Sequence, residues 1–164
     1  MGLIIECRNL GMSYADGTVR VLQNLDFEVQ IGEFVVILGR SGSGKSTLLN
    51  ILGAMDVATR GRVAISGVAL GDLMEAGRTQ FRRKSLGFIF QTYNLVPTLT
   101  VAQNLQLPLE LNGLAPNGKI ETMLATLGLD GLGGSLSRGI IGGRTATGRR
   151  WPGAYSHAAI GARR

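Results

Sequence analysis

Residues Gly39-Arg40-Ser41-Gly42-Ser43-Gly44-Lys45-Ser46-Thr47 contain a full match to the phosphate-binding loop pattern G-x-x-x-x-G-K-[ST]. The apolar run Phe34-Val35-Val36-Ile37-Leu38 precedes it and has the length of a buried strand. Thr47-Leu48-Leu49-Asn50-Ile51-Leu52 follows and reads as the start of a helix. This strand, loop and helix order is the context the motif requires, so the chain is expected to bind a nucleoside triphosphate. Gly39, Gly42 and Gly44 let the backbone close around a crowded anionic group, because no Cβ blocks the approach or a positive φ. The loop amides then face the anion at the positive end of the helix. Lys45 is expected on the β and γ phosphates, and the Ser46 hydroxyl on Mg2+. A glycine-rich turn that binds nothing would need neither the lysine nor the hydroxyl.

With 164 residues, 45% of them hydrophobic, the chain is long enough for one domain with a core. Its apolar runs are too short to span a bilayer. The N-terminal Met-Gly-Leu-Ile-Ile-Glu-Cys has no basic region before an apolar stretch, so no signal peptide is expected. Cys7 is the single cysteine, which excludes a disulfide framework and fits a reducing cytoplasm. It reads as a small buried strand residue.

The net charge of +6 is not spread evenly. Residues 1–130 hold 11 basic and 11 acidic residues, whereas residues 131–164 hold six arginines and no acid. A basic tail of this kind could serve nucleic acid or anionic lipid. It also contains nine glycines and no apolar period, so residues 131–164 are expected to be a disordered Gly/Arg-rich tail.

Leu3–Leu10 and Leu25–Ile31 read as strands, with Asp16-Gly17 marking a turn between them. Gly61–Ile65 and Leu86–Phe90 are further strand candidates. Leu73–Arg83, Thr100–Leu111 and Lys119–Leu127 are expected helices, the last ended by Gly128. The Arg82-Arg83-Lys84 cluster reads as a solvated helix face.

Three stretches beside the loop carry a resemblance. The first is Met12-Ser13-Tyr14 followed by Val19–Leu25. The second is Phe81-Arg82-Arg83-Lys84 leading into Leu86-Gly87-Phe88-Ile89-Phe90-Gln91. The third is Tyr93-Asn94-Leu95-Val96-Pro97-Thr98-Leu99-Thr100-Val101 with Asn104 and Leu107-Pro108-Leu109. In this order they resemble the ATP-binding subunit of ABC transporters over residues 3–130, most of all the bacterial lipoprotein-releasing and macrolide-export type. The resemblance implies an α/β P-loop NTPase fold of the ABC-cassette kind. Such a fold combines an antiparallel β subdomain, a parallel-sheet ATP-binding core and the start of a helical subdomain. It implies that Tyr14 stacks on adenine, that residues 39–47 hold the phosphates, and that Gln91 touches Mg2+ and the attacking water. It further implies a membrane permease docked on the Gln91–Val101 region, a second ATP-binding subunit, and a place on the cytoplasmic face of the inner membrane. No nucleic-acid partner is implied. Gln103 stands where relatives usually carry Glu.

The family's signature motif, its Walker B strand ending in Asp-Glu and its switch histidine have no counterpart after the Lys119–Leu127 helix. His157, the only histidine, lies among Gly, Ala and Arg and reads as incidental. Codons read across the residue junctions from Gly139/Ile140 onward permit Glu-Leu-Ser-Gly-Gly-Glu-Gln-Gln-Arg-Val-Ala-Val, a string similar to the missing signature. A one-base frameshift between about Gly128 and Gly139 is the expectation that follows, with an incomplete cassette that does not hydrolyse ATP. The alternatives are a non-functional nucleotide-binding fragment and a cell-division type of cassette that does not transport. A nucleic-acid binder acting through the basic tail is a further alternative.

Overall fold

The computed structural model describes residues 2–90, 94–137 and 159–162. They form two compact units, the first running to Phe88 and taking in the chain again from Ile160, the second lying between Ile89 and Ala159.

The first unit is built on a long hairpin. Strand β1 spans Leu3–Tyr14 and β2 spans Val19–Gln30. The turn between them uses positive φ angles at Ala15, Asp16 and Gly17, which agrees with the Asp16-Gly17 turn signal. Each strand runs further toward the turn than its apolar pattern predicts, because the antiparallel ladder continues through pairs such as Met12–Leu22 and Ser13–Arg20; nearer the open end it sets Glu6 opposite Glu28. Arg8 sits between Glu6 and Glu28 and bonds both carboxylates, which offsets the like-charge pairing. Beyond the hairpin lie β3 (Arg60–Ile65) and β4 (Val68–Ala69), giving a four-stranded sheet in the order β2-β1-β3-β4. All of its pairings are antiparallel.

The register shifts at several places along β1, and the shift around Asn9 has a visible cause. The register between β1 and β2 shifts between Cys7 and Leu10. Asn9 takes a φ of +48° there, and its N–H donates to the Asp26 carboxylate at 2.7 Å instead of joining the ladder. Gly61 of β3 passes directly against this bulge at a φ of +81°. A Cβ on Gly61 would lie 2.2 Å from the Asn9 carbonyl oxygen, so only glycine fits.

The core of this unit lies under the sheet. Cys7, Leu10 and Met12 of β1 and Val63 and Ile65 of β3 meet Leu48, Ile51 and Leu52 of helix α1, which spans Lys45–Leu52. Phe81 of α2 (Glu75–Ser85) and Leu86 of β5 (Leu86–Ile89) complete it. The inward positions of α1 are spaced three and four apart, the stripe an amphipathic helix turns toward a core.

One expected strand is absent. Residues 33–40 form no regular secondary structure and join no ladder. Only Ile37 packs on the core, while Phe34 and Leu38 are 87% and 85% exposed. A strand needs a neighbour to satisfy its backbone, and a parallel one needs both faces covered. Among the described residues no strand lies beside this run, so the parallel sheet expected around it is not seen among them.

The second unit contains α3 (Val101–Leu111) and α4 (Lys119–Thr126). Thr100 begins α3 with a full capping box. Its hydroxyl accepts from Gln103 N–H, and the Gln103 side chain accepts from Thr100 N–H. A glutamine does this as a glutamate would, which accounts for Gln103 in structural terms. Residues after α4 are also held. Val101 and Ala102 donate to the carbonyls of Ser135 and Gly133, and Ser137 N–H donates to Leu99. Packing therefore continues to Ser137, past the expected boundary at residue 130. Ala159–Ala162 forms a further strand, β6, paired with β5 in a two-stranded sheet. The rest of the expected disordered tail, residues 138–158 and 163–164, lies outside the described residues, His157 included.

Burial, with added repulsion from Asp26 and Glu6, pushes the Cys7 thiol up to about 12. An exposed thiol titrates near ~8.5, so the native state is the one that holds its proton in the interval between. The stability this contributes is fully present below the unfolded value and is lost as pH rises toward the native one. Cys7 is expected to resist iodoacetamide at pH 8.5 in the native protein and to react at once in urea, as mass spectrometry will show.

Candidate functional site

The loop, residues 39–47, leads from the apolar run Phe34–Leu38 into the first turn of α1. Gly44 is the N-cap of α1, at a φ of +88° and with no side chain capping the helix. The first N–H groups of a helix have no partner within it, so the amides around Lys45 and Ser46 are free for an anion. Gly44 has a second constraint. A Cβ there would lie 3.1 Å from the Val21 carbonyl and 2.9 Å from the Leu22 side chain. The loop thus sits close against the start of β2, and both the conformation and the space demand glycine. Gly42 also has a positive φ, +78°, but open space around it, so there the conformation alone favours glycine. Ser43 N–H closes the turn onto the Arg40 carbonyl at 3.2 Å.

The Lys45 ammonium curls over the loop. It donates to the carbonyls of Gly39 at 2.8 Å and Arg40 at 2.7 Å, with Ser43 Oγ at 3.5 Å. Three donors on one ammonium are met by the loop's own oxygens, which keep the charge within the concave side of the turn. Ser46 is exposed on the first turn of α1. Arg40 and Ser41 are exposed at the loop's outer edge, and Thr47 is half-buried.

Tyr14 ends β1, pairs across the ladder with Val19 and remains 41% exposed. The structure therefore brings Tyr14 and the phosphate loop to the same end of the hairpin, one against Val19 and the other against Val21. Gln91 lies outside the described residues, as do Thr92 and Tyr93. Among the described residues no group of three or more His, Cys, Asp or Glu could hold a metal ion. Ser46 is a single hard oxygen. It fits a Mg2+ that takes its remaining ligands from phosphates and water.

Two contributions escape a reading of the sequence. The Asn104 amide, one turn into α3, holds the loop before the helix. Its Oδ1 accepts from Val96 N–H, and its Nδ2 donates to the carbonyls of Val96, Leu99 and Thr100. Buried Ser137 donates to the same Val96 carbonyl. The other contribution is Asp56, whose carboxylate accepts from the Tyr14 hydroxyl at 3.0 Å. No sequence signal relates positions 14 and 56.

The sequence pattern of the ABC transporter family matches residues 22–144. The chain belongs to this family. The cassette is 46% identical over 114 residues to an uncharacterised ABC transporter ATP-binding protein of Mycobacterium tuberculosis, covering 68% of this chain and 46% of the relative. It is 42% identical over 133 residues to the macrolide export ATP-binding/permease protein MacB of Mannheimia succiniciproducens, covering 78% of this chain and 21% of MacB. Its fold superposes with a TM-score of 0.76 on the dimeric ATP-binding cassette MJ0796 bound to ADP and Pi. That likeness has 33% identity and covers 85% of this chain and 64% of the other. The cassette thus spans about half the length of the mycobacterial relative and a smaller part of MacB. No helix among the described residues is long and apolar enough to cross a membrane.

Removing the Asn104 amide deprives Val96 N–H of its acceptor and three carbonyls of a donor. Asn104→Ala is expected to loosen the 96–100 loop by about 1–2 kcal/mol. Hydrogen exchange at the Val96 amide should quicken by roughly 10-fold, while the amides of β1 and β3 keep their rates.

Proposed function

We propose that the cassette binds Mg·ATP and serves as the ATP-binding subunit of an ABC transporter, coupling nucleotide binding and hydrolysis to export or lipoprotein release through a membrane permease. The observation that carries the reading is the loop itself: free helix-start amides, a Gly44 that nothing can replace, and an ammonium held inside the turn. In this reading Gly39, Arg40, Ser41, Gly42, Ser43, Gly44 and Thr47 wrap the phosphates, and Lys45 exchanges its carbonyl partners for the β and γ oxygens. Tyr14 supplies an aromatic face for the base. Ser46, with Gln91, holds Mg2+, which when bound neutralises charge on the phosphates.

The likeness to MacB, an export ATP-binding/permease protein, supports the transport class. The dimeric state of MJ0796 supports a second ATP-binding subunit as partner. A permease would dock on the Gln91–Val101 region, where Leu95 and Val96 are exposed while Asn104 and Ser137 hold the backbone. Such a subunit would lie on the cytoplasmic face of the inner membrane.

Lys45→Ala is the test of binding. Losing charge-assisted hydrogen bonds of ~1.5–3 kcal/mol predicts affinity for Mg·ATP about 10- to 100-fold weaker in equilibrium dialysis. Unchanged affinity would remove the loop from the site.

A second reading is favoured by the absence of any acid after Asp130. Phosphoryl transfer depends on carboxylates that place Mg2+ and water, so the chain as it stands binds nucleotide without turning it over. No phosphate release above buffer is expected in a steady-state assay. Lys45-dependent turnover by the 164 residues would overturn this reading. The same lack of acids in residues 131–164 supports the proposed one-base change of frame between about Gly128 and Gly139. Genomic DNA that runs in one frame through the codons for residues 125–140 would refute it.

A further inference from the structure

We propose that Asp56 is a positioning residue for the nucleotide base, acting by fixing the Tyr14 ring; the inference rests on the reading of Tyr14 and residues 39–47 as an ATP site. Tyr14 stands where β1 gives way to the turn, and its ladder partner Val19 is itself exposed. The backbone of Tyr14 is held by the sheet, but a half-exposed ring at a strand end is free to change rotamer. One hydrogen bond removes that freedom. The phenol donates to Asp56 Oδ2 at 3.0 Å, across 42 positions of sequence.

The acceptor is fixed in turn. Asp56 Oδ1 accepts from Val57 N–H at 2.8 Å, and Asp56 N–H donates to the Asn50 carbonyl of α1 at 3.2 Å. The carboxylate is therefore anchored to the C-terminal end of the helix whose N-terminal end carries the phosphate loop. A second tie runs between the same segments. Ser13 N–H donates to Thr59 Oγ1 at 3.1 Å, and Thr59 Oγ1 donates to the Gly11 carbonyl at 3.2 Å. Rotation of the ring is thus opposed from both sides of the phenol: by β1 through its backbone and by α1 through Asp56.

Asp56 does not touch the phosphates itself. It follows an eight-residue helix, which is about 12 Å long, and a carboxylate beside a triphosphate would repel it. Its effect passes through Tyr14. A nucleotide has a base at one end and a charged chain at the other. Here the ring offered to the base and the loop offered to the phosphates are joined through one helix, so the spacing between them is set before ligand arrives. The inference predicts that loss of Asp56 weakens only that part of binding which depends on a base.

The experiment compares two ligands, Mg·ATP and Mg·tripolyphosphate, by calorimetry on the full chain and on Asp56→Ala, Asp56→Asn, Tyr14→Phe and the double variant Tyr14→Phe/Asp56→Ala. Far-UV circular dichroism checks that each is folded. Freeing one aromatic side chain predicts a loss of roughly 2- to 10-fold for Mg·ATP in Asp56→Ala and in Tyr14→Phe, with tripolyphosphate unchanged. The double variant should lose no more than either single one, because both remove the same bond. Asp56→Asn keeps an oxygen for the phenol and should retain most of the affinity. Equal weakening of both ligands in Asp56→Ala would make Asp56 a structural residue and overturn the inference alone. So would unchanged ATP affinity or additive losses in the double variant. Failure of the unsubstituted chain to bind either ligand would overturn the loop reading and this inference with it.

Discussion

Gly44 enters α1 at a φ of +88° directly beneath the carbonyl of Val21, and no side chain can occupy that position. The left-handed backbone aims the next amides inward, and the close approach fixes where the loop meets the hairpin. Everything that gives the site its geometry descends from this contact. α1 is started there, so its apolar stripe of Leu48, Ile51 and Leu52 is phased onto the sheet. Lys45 follows immediately and falls back over the loop's carbonyls. The end of the hairpin that holds Tyr14 is brought to the same place because Val19 and Val21 are two residues apart on β2.

The hairpin can act as a fixed platform because its pairings run both ways from β1. β2 flanks it on one side and β3 on the other, and the bulge at Asn9 is matched by the one residue type that tolerates it, Gly61. By contrast, the run Phe34–Leu38 leads into the same loop with little support. Its side chains are apolar enough for the centre of a parallel sheet, yet four of the five are exposed. Apolar surface of this kind is unfavourable in water and seeks a neighbour. The loop is thus held firmly on its helix side and weakly on its strand side.

Much of the site was legible in the sequence, because its chemistry is local. Gly39, Gly42, Gly44, Lys45 and Ser46 stand within eight positions, and turn geometry, helix start and charge all follow from their order. The helices over residues 75–85, 101–111 and 119–126 were equally open to view, since period and caps are written in neighbouring residues. The strand at Phe34–Leu38 could not be judged this way. An apolar run records what a segment requires, not whether its partner is there. The packing of residues 133–137 was hidden too, because this stretch of glycine, serine and leucine carries no period and is held by backbone bonds to the start of α3.

By itself the sequence determined that a phosphate-binding loop follows an apolar run and opens a helix, since bonds among neighbours decide such motifs. Tertiary structure alone decided which distant groups serve that loop. Val21 walls off Gly44, and Asp56 takes the Tyr14 phenol across 42 positions. Asn104 and Ser137 converge on the Val96 carbonyl. Each of these is one hydrogen bond or one contact between residues that no spacing relates. A polar atom can be satisfied by any suitable partner the folded chain delivers, so such pairings are set only when the sheet and helices close around them.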